Sequence, residues 1–264
     1  LAYKPDAVEV LRRELAHPKY ACKPIALGIN TDAWQPVERH LRLTRGILET
    51  LAACRHPVSI VTKSALILRD LDILAEMAKQ HLVRVAVSIT TLNADLARRM
   101  EPRAASSQRR LSVLEALSAV GIPTAVLVAP LIPALTDHEL EDILQAAANA
   151  GARTAGYILL RLPHEVKPLF RDWLEREAPG RTEHVFSLLR QMHGGKEYDS
   201  RFGQRQRGAG PLASILQQRF AIARRRLNLT QVLPDLRTDM FLPPDGETSP
   251  SGISRSEPKQ QRLF

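Results

Sequence analysis

The stretch KPIALGINTDAWQPVE, Lys23 to Glu38, decides the fold. After the lysine, Pro24 to Ile29 is almost continuously apolar, as in a strand buried on both faces, and the run stops abruptly at Asn30, Thr31 and Asp32. A helical pattern follows, with Val37, Leu41, Leu43, Ile47, Leu48 and Leu51 recurring along one face of PVERHLRLTRGILETLAAC. A short apolar strand, a polar cluster and an amphipathic helix in that order form one unit of a helix-covered parallel sheet.

The unit recurs along the chain. PVSIVTKS leads into LILRDLDILAEMAKQ, VRVAVSITT into a helical region through RRLSVLEALSAVG, and IPTAVLVAPLIP into DHELEDILQAAANAG. RTAGYILLRLP closes the series before the helices EVKPLFRDWLERE and TEHVFSLLRQM. Strands are therefore expected near residues 24–30, 57–62, 83–89, 123–129 and 153–160. Gly121 and Gly151 fall just beyond helical runs, where a left-handed residue ends a helix, and Thr136 is expected to cap the acidic turn that follows it. A further basic helix, PLASILQQRFAIARRRLNL, is expected after Tyr198, and residues 233–264 are expected to be disordered because Pro, Ser and Gly dominate there.

Composition narrows the class. With 264 residues, 44% of them hydrophobic, the chain can bury a large core. No apolar run approaches the roughly 20 residues that span a bilayer, and the start lacks the apolar segment of a signal peptide, so no membrane partner and a cytoplasmic location are expected. The two cysteines, Cys22 and Cys54, exclude a disulfide framework and a four-cysteine metal site. The charge of +9 is uneven: from Arg190 to Arg226 nine basic residues face two acidic ones, which suits nucleic acid or a merely solvated face.

In parallel strand-helix units ligands gather at the carboxyl edge, where the loops diverge and helix N-termini point. Asn30-Thr31-Asp32, Thr62-Lys63-Ser64, Ser88 to Thr91, Pro130 to Pro133 and Arg161 all fall at that edge. Thr31 and Thr90 alone would serve as helix caps. Lys63 is different, since an ammonium directly after SIVT must meet solvent or an anion. His56, His81, His138, His164, His184 and His193 are scattered without the pair spacing of a zinc helix, and no phosphate-loop or dinucleotide fingerprint occurs. HGGKEYDSRFGQRQRG alternates glycines with cations but lacks the preceding strand that a phosphate loop requires.

From KPIALGINTDAWQPVERHLRLTRGILE through PVSIVTKSALILRDLDIL, RVAVSITTL and RRMEPRAASSQRRL to YDSRFGQRQRG, the chain resembles the radical S-adenosylmethionine (radical SAM) superfamily. Within it the likeness is to the branch around spore photoproduct lyase, the DNA-repair photolyase-like proteins. That branch's motif T-N-T-D-x-x-Q-P-x-E reads INTDAWQPVE here. The resemblance implies a partial (β/α)6 TIM-like barrel of parallel strands whose first strand-helix unit is missing, with a C-terminal helical extension. The expected organisation is a partial barrel over 1–190, a basic helical extension over 191–232 and a tail over 233–264.

The same resemblance implies S-adenosyl-L-methionine as cofactor, held by Asn30, Thr31 and Asp32 at its methionine end and by Lys63 and Ser88 near its carboxylate and ribose. It also implies a [4Fe–4S] cluster on a Cys-x3-Cys-x2-Cys loop and an electron donor of flavodoxin or ferredoxin type. No such cysteine motif occurs in these residues, so a cluster is expected only in a full-length form that carries it, on a segment upstream of Leu1. Three readings follow: the core of a lyase-like radical SAM enzyme acting on nucleic acid; a noncatalytic barrel binding nucleic acid or a partner; and an aldolase-like barrel with Lys63 as Schiff-base lysine.

Overall fold

The computed structural model describes residues 3–195 and 206–244. Five parallel strands, β1 (Ile25–Leu27), β2 (Val58–Thr62), β3 (Val83–Ser88), β4 (Thr124–Leu131) and β5 (Thr154–Leu159), form one sheet in the order β1-β2-β3-β4-β5. A doubly wound fold reverses its strand order midway, whereas a sheet that always steps in one direction curls into a barrel wall. The α/β partial barrel expected from the repeated unit is therefore the architecture observed.

Helix α1 (Ala7–Leu15) precedes the sheet. Between β1 and β2 run α2 (Glu38–Leu41) and α3 (Leu43–Ala53), and β2 leads through a 3₁₀ turn (Ala65–Asp70) into α4 (Leu71–Lys79). After β3 come α5 (Ala94–Met100) and α6 (Ser107–Ala119), and after β4 comes α7 (Leu140–Asn149). Helices α8 (Val166–Glu177), α9 (Thr182–Met192) and α10 (Pro211–Arg226) complete the order.

Strand side chains alternate between two unlike faces. Val58, Ile60, Val83, Val85, Val87, Val126 and Val128 are buried beneath the helices. Ser59 lies opposite Arg84, Ala86 opposite Ala125, and Leu127 opposite Gly156, and these inner-face positions are only partly buried. The small residues on that face leave the inside of the wall open.

Two expectations near the start of the sheet are corrected. The first strand was read as buried on both faces, yet β1 covers three residues, Ala26 is exposed and Ile29 is 62% exposed. β1 pairs only with β2, so nothing in the sheet covers its other side. The single helix expected after it is broken at Arg42, whose φ of 51° puts it in the left-handed region between α2 and α3. The turn between β1 and the polar cluster has its own requirement: Gly28 has φ 81°, and a Cβ there would lie 1.9 Å from the Val61 carbonyl oxygen. Only glycine lets the chain cross β2 this closely.

The helix ends at Gly121 and Gly151 have φ of 81° and 87°, as expected of left-handed terminators. Thr136 does not cap the turn after it; its hydroxyl accepts the Ile132 N–H at 3.0 Å and holds the β4 exit loop.

Residues 233–242, continuous with an ordered 229–232, depart from the expected disorder, while residues 245–264 lie outside the described residues. Leu229 is fully buried, and Thr230 forms an antiparallel bridge with Thr154. The Arg237 N–H donates to the His81 carbonyl at 3.0 Å and the Leu242 N–H to the Cys54 carbonyl at 2.8 Å. Phe241 packs edge-on against His56, with centroids 5.4 Å apart. His81, Cys54 and Arg153 all lie just before strands, so this segment runs beneath the amino end of the sheet. Its backbone partners, not its composition, order it.

Candidate functional site

The polar cluster that ends β1 is drawn over the end of β2. Both Asp32 oxygens are engaged: they accept the Thr62 hydroxyl at 2.9 and 3.0 Å, the Lys63 N–H at 2.7 Å and the Trp34 N–H at 2.9 Å. Asp32 thus ties two strand ends together and fixes where the Lys63 side chain starts. Asn30 and Thr31 remain exposed beside it at the rim.

Beneath this knot lies a second buried carboxylate. Asp70 is fully buried and accepts the Trp34 indole N–H at 2.8 Å, the Arg45 guanidinium at 3.2 Å and the Arg69 guanidinium at 2.8 Å. Trp34 is 1% exposed, so its indole anchors the loop after β1 in the core.

Lys63 meets an anion of the protein. Its Nζ pairs with Glu101, which also accepts Arg110 at 2.7 Å and the Thr90 hydroxyl at 3.2 Å. That anionic partner comes from the end of α5, 38 residues away. Burial pushes the Glu101 carboxyl up, but Lys63 and Arg110 more than offset it and hold the group below the usual carboxylate range. Arg110, 2% exposed, also donates to the Ser88 carbonyl at 3.0 Å and the Ala105 carbonyl at 2.8 Å. The Ser88 hydroxyl donates to the Ala129 carbonyl at 2.9 Å, linking the ends of β3 and β4.

Of the five expected cofactor-contact residues, Asp32, Lys63 and Ser88 therefore belong to one hydrogen-bonded rim, with Asn30 and Thr31 at its open side. Glu101 and Arg110 went unread, although signals for both exist. Arg110 stands on the apolar stripe formed by Val113, Leu114 and Leu117 at i+3, i+4 and i+7, where a cation needs a buried partner. Glu101 follows α5 directly and precedes Pro102, at a helix C-terminus where an anion is unfavourable without cations.

An open cleft of about 720 Å³ adjoins this rim, lined by Asp32, Gln35, Arg39, Lys63, Arg103 and Arg109 among others. Its volume lies in the range of small-molecule sites. The basic stretch read from Arg190 to Arg226 is partly neutralised within the fold: Arg219 pairs with Glu141 at 2.7 Å, and Arg224 donates to the Leu229 carbonyl at 2.8 Å. Lys196, Arg201 and Arg205, with most of the glycine-rich segment around them, lie outside the described residues.

The cysteines do not fit an iron–sulfur cluster. Cys54 is buried at the end of α3 and Cys22 is half-buried before β1, and burial raises the pKa of both thiols, away from the thiolate a cluster needs. Among the described residues no group of three or more His, Cys, Asp or Glu is placed to hold a metal. Nor, among those residues, is any helix long and apolar enough to cross a membrane.

The model of the radical SAM superfamily matches residues 3–147. An uncharacterized protein of Mycobacterium tuberculosis is 38% identical over 189 residues, 71% of this chain and 56% of that protein. One of Methanocaldococcus jannaschii is 32% identical over 126 residues, 48% of this chain and 47% of that protein. The chain thus spans about half the length of the curated relatives it matches. Among solved structures, spore photoproduct lyase complexed with dinucleoside spore photoproduct superposes with a TM-score of 0.60, covering 84% of this chain and 63% of that one at 14% identity. A mutant of that lyase with bound AdoMet and dinucleoside spore photoproduct gives 0.58 over the same shares at 16% identity. At such identities the likeness is one of fold.

Proposed function

The chain belongs to the radical SAM superfamily, and we propose that it forms the S-adenosylmethionine-binding core of an enzyme that acts on nucleic acid. The observation that carries this reading is the convergence of Asn30, Thr31, Asp32, Lys63 and Ser88 on one rim of a superfamily barrel. An ammonium has three donors, and Glu101 occupies part of that capacity, so Lys63 retains N–H groups for the carboxylate of the methionine moiety. Lys63 and Arg110 together balance Glu101 and Asp32, so the rim sets no net negative charge against an anionic group. Ser88 donates to Ala129 yet keeps acceptor capacity for a ribose hydroxyl. Asn30 and Thr31 supply exposed polar groups on the other side.

Nucleic acid as substrate is supported by the dinucleoside photoproduct that the structurally similar lyase binds and by the basic charge of this chain. The superfamily's 5′-deoxyadenosyl radical chemistry needs three thiolates, and this chain has two cysteines, both ahead of strands at the amino end of the sheet. The reading therefore assigns to these residues the binding of S-adenosylmethionine and not its reduction.

The test is calorimetric titration of S-adenosylmethionine into the protein. Saturable binding is expected, and its absence at millimolar ligand ends the reading. The cysteine count itself favours a second reading, a noncatalytic barrel. Anaerobic reconstitution of the longest reading frame containing this chain separates the two: 5′-deoxyadenosine on reduction excludes the noncatalytic barrel, and its absence favours it. The Schiff-base reading of Lys63 is opposed by its pairing with Glu101, which engages the Nζ that would attack a carbonyl.

A further inference from the structure

The cleft beside the rim shares Asp32 and Lys63 with the proposed cofactor site and carries in addition an imbalance of charge. Arg39, Arg103 and Arg109 line it, all three are exposed, and among the described residues none of the three makes an ion pair or a side-chain hydrogen bond. The one carboxylate in the lining is Asp32, whose oxygens are already taken by Thr62, Lys63 and Trp34. Three guanidinium groups, each with a planar fork of donors matched to phosphate oxygens, thus line one cleft without a counterion among the described residues.

Their placement follows from the strand order. Helix α2, after β1, carries Arg39 and the segment after β3 carries Arg103 and Arg109, so the cations stand on two walls with the β2 loop between them. The floor is apolar, formed by Pro36, Ala65, Leu66 and Ala104. We propose that this cleft docks single-stranded nucleic acid, its phosphates held by Arg39, Arg103 and Arg109 and its bases lying over the apolar floor. A duplex presents its phosphates on a rigid cylinder, whereas a cleft of about 720 Å³ admits one flexible chain. This placement puts the docked strand directly beside Lys63 and moves the nucleic-acid face away from α10, where Arg219 is neutralised by Glu141. It rests on the nucleic-acid part of the proposed function and gives it a location.

The experiment is fluorescence anisotropy of a labelled single-stranded DNA of about ten nucleotides, a length such grooves cover. The triple variant Arg39→Gln, Arg103→Gln, Arg109→Gln should lose at least about tenfold in affinity near 0.1 M salt, and its salt slope should fall by about 2, close to 0.7 per lost phosphate contact. Arg225→Gln with Arg226→Gln on α10 should change neither quantity. Circular dichroism checks that both variants fold, as expected for changes at exposed side chains. The proposal is overturned if the triple variant binds like the wild type, or if the α10 variant takes the loss instead; nucleic-acid binding then stands at another face. If the wild type binds no oligonucleotide while S-adenosylmethionine still titrates, this inference and the nucleic-acid reading both fail and the cofactor reading survives. Inorganic tripolyphosphate displacing the oligonucleotide at equal concentration would assign the cleft to a small free anion and overturn the single-strand assignment.

Discussion

The two ends of the sheet are closed by different physics. At the amino end, residues 229–242 lie across the strand starts through backbone hydrogen bonds and apolar contacts, with Leu229 fully buried and Phe241 against His56. At the carboxyl end the strand exits are joined by charge: Asp32 across β1 and β2, and Glu101 between Lys63 and Arg110. Backbone and apolar contacts leave nothing for a ligand to compete with. An ionic rim keeps donors and net charge available, at the cost of dehydrating charged groups. The difference teaches that one end of this barrel holds the fold and the other trades some stability for the surface proposed to bind the cofactor.

That contrast can be broken most directly at Glu101. Glu101→Ala leaves Arg110 buried without its carboxylate, and a loss of about 3 kcal/mol in urea unfolding is expected, the lower end for a broken buried pair because Lys63 is partly solvated. A loss under about 1 kcal/mol would mean that the rim is not held by charge. At the opposite end, Leu229→Ala should cost about 2–3 kcal/mol by leaving a cavity, while S-adenosylmethionine affinity stays unchanged in calorimetry. A fall in affinity there would erase the division of labour between the ends.

The rim's binding role is sharpened by Lys63→Ala, for which a loss of about 1.5 kcal/mol in S-adenosylmethionine binding is expected, the worth of one partly solvated charge-assisted hydrogen bond. The smallest effects are those of pH on stability, and the two ends respond in different windows. His56, at the amino end, accepts from the Tyr20 hydroxyl at 2.7 Å and donates to the Pro57 carbonyl at 3.0 Å, and burial keeps its pKa low. Below about pH 6.5 the unfolded chain takes up a proton that the folded imidazole refuses, so stability falls from there toward the native value. His56→Gln should flatten that decline in urea titrations. Glu101 acts lower: its stabilisation is complete above the unfolded value of about 4.3 and disappears as pH falls through its depressed native value. Glu101→Ala should remove the acid limb and leave the neutral-side decline intact.

Much of the fold was legible because strand and helix periods are local. Residues 57–62 and 83–89 were placed within one residue of β2 and β3, and the glycine terminators held. The break at Arg42 escaped because the apolar stripe continues through it, and periodicity does not register a single left-handed residue. The segment 233–242 escaped because its composition lacks a core pattern; its order comes from backbone groups offered by the strand starts.

Sequence by itself determined the kind of sheet, the direction of its wrapping, the edge at which polar residues gather and the superfamily to which the chain belongs. Only the tertiary structure decided which charges meet: Lys63 with Glu101 across 38 residues, Arg219 with Glu141 across 78, and Arg39, Arg103 and Arg109 with no ion-pair partner among the described residues. The physical reason is the range of the interactions. Propensity and hydrophobic period act between neighbours a few residues apart, whereas an ion pair exists only after the sheet has set its strand order and brought distant loops to the same edge.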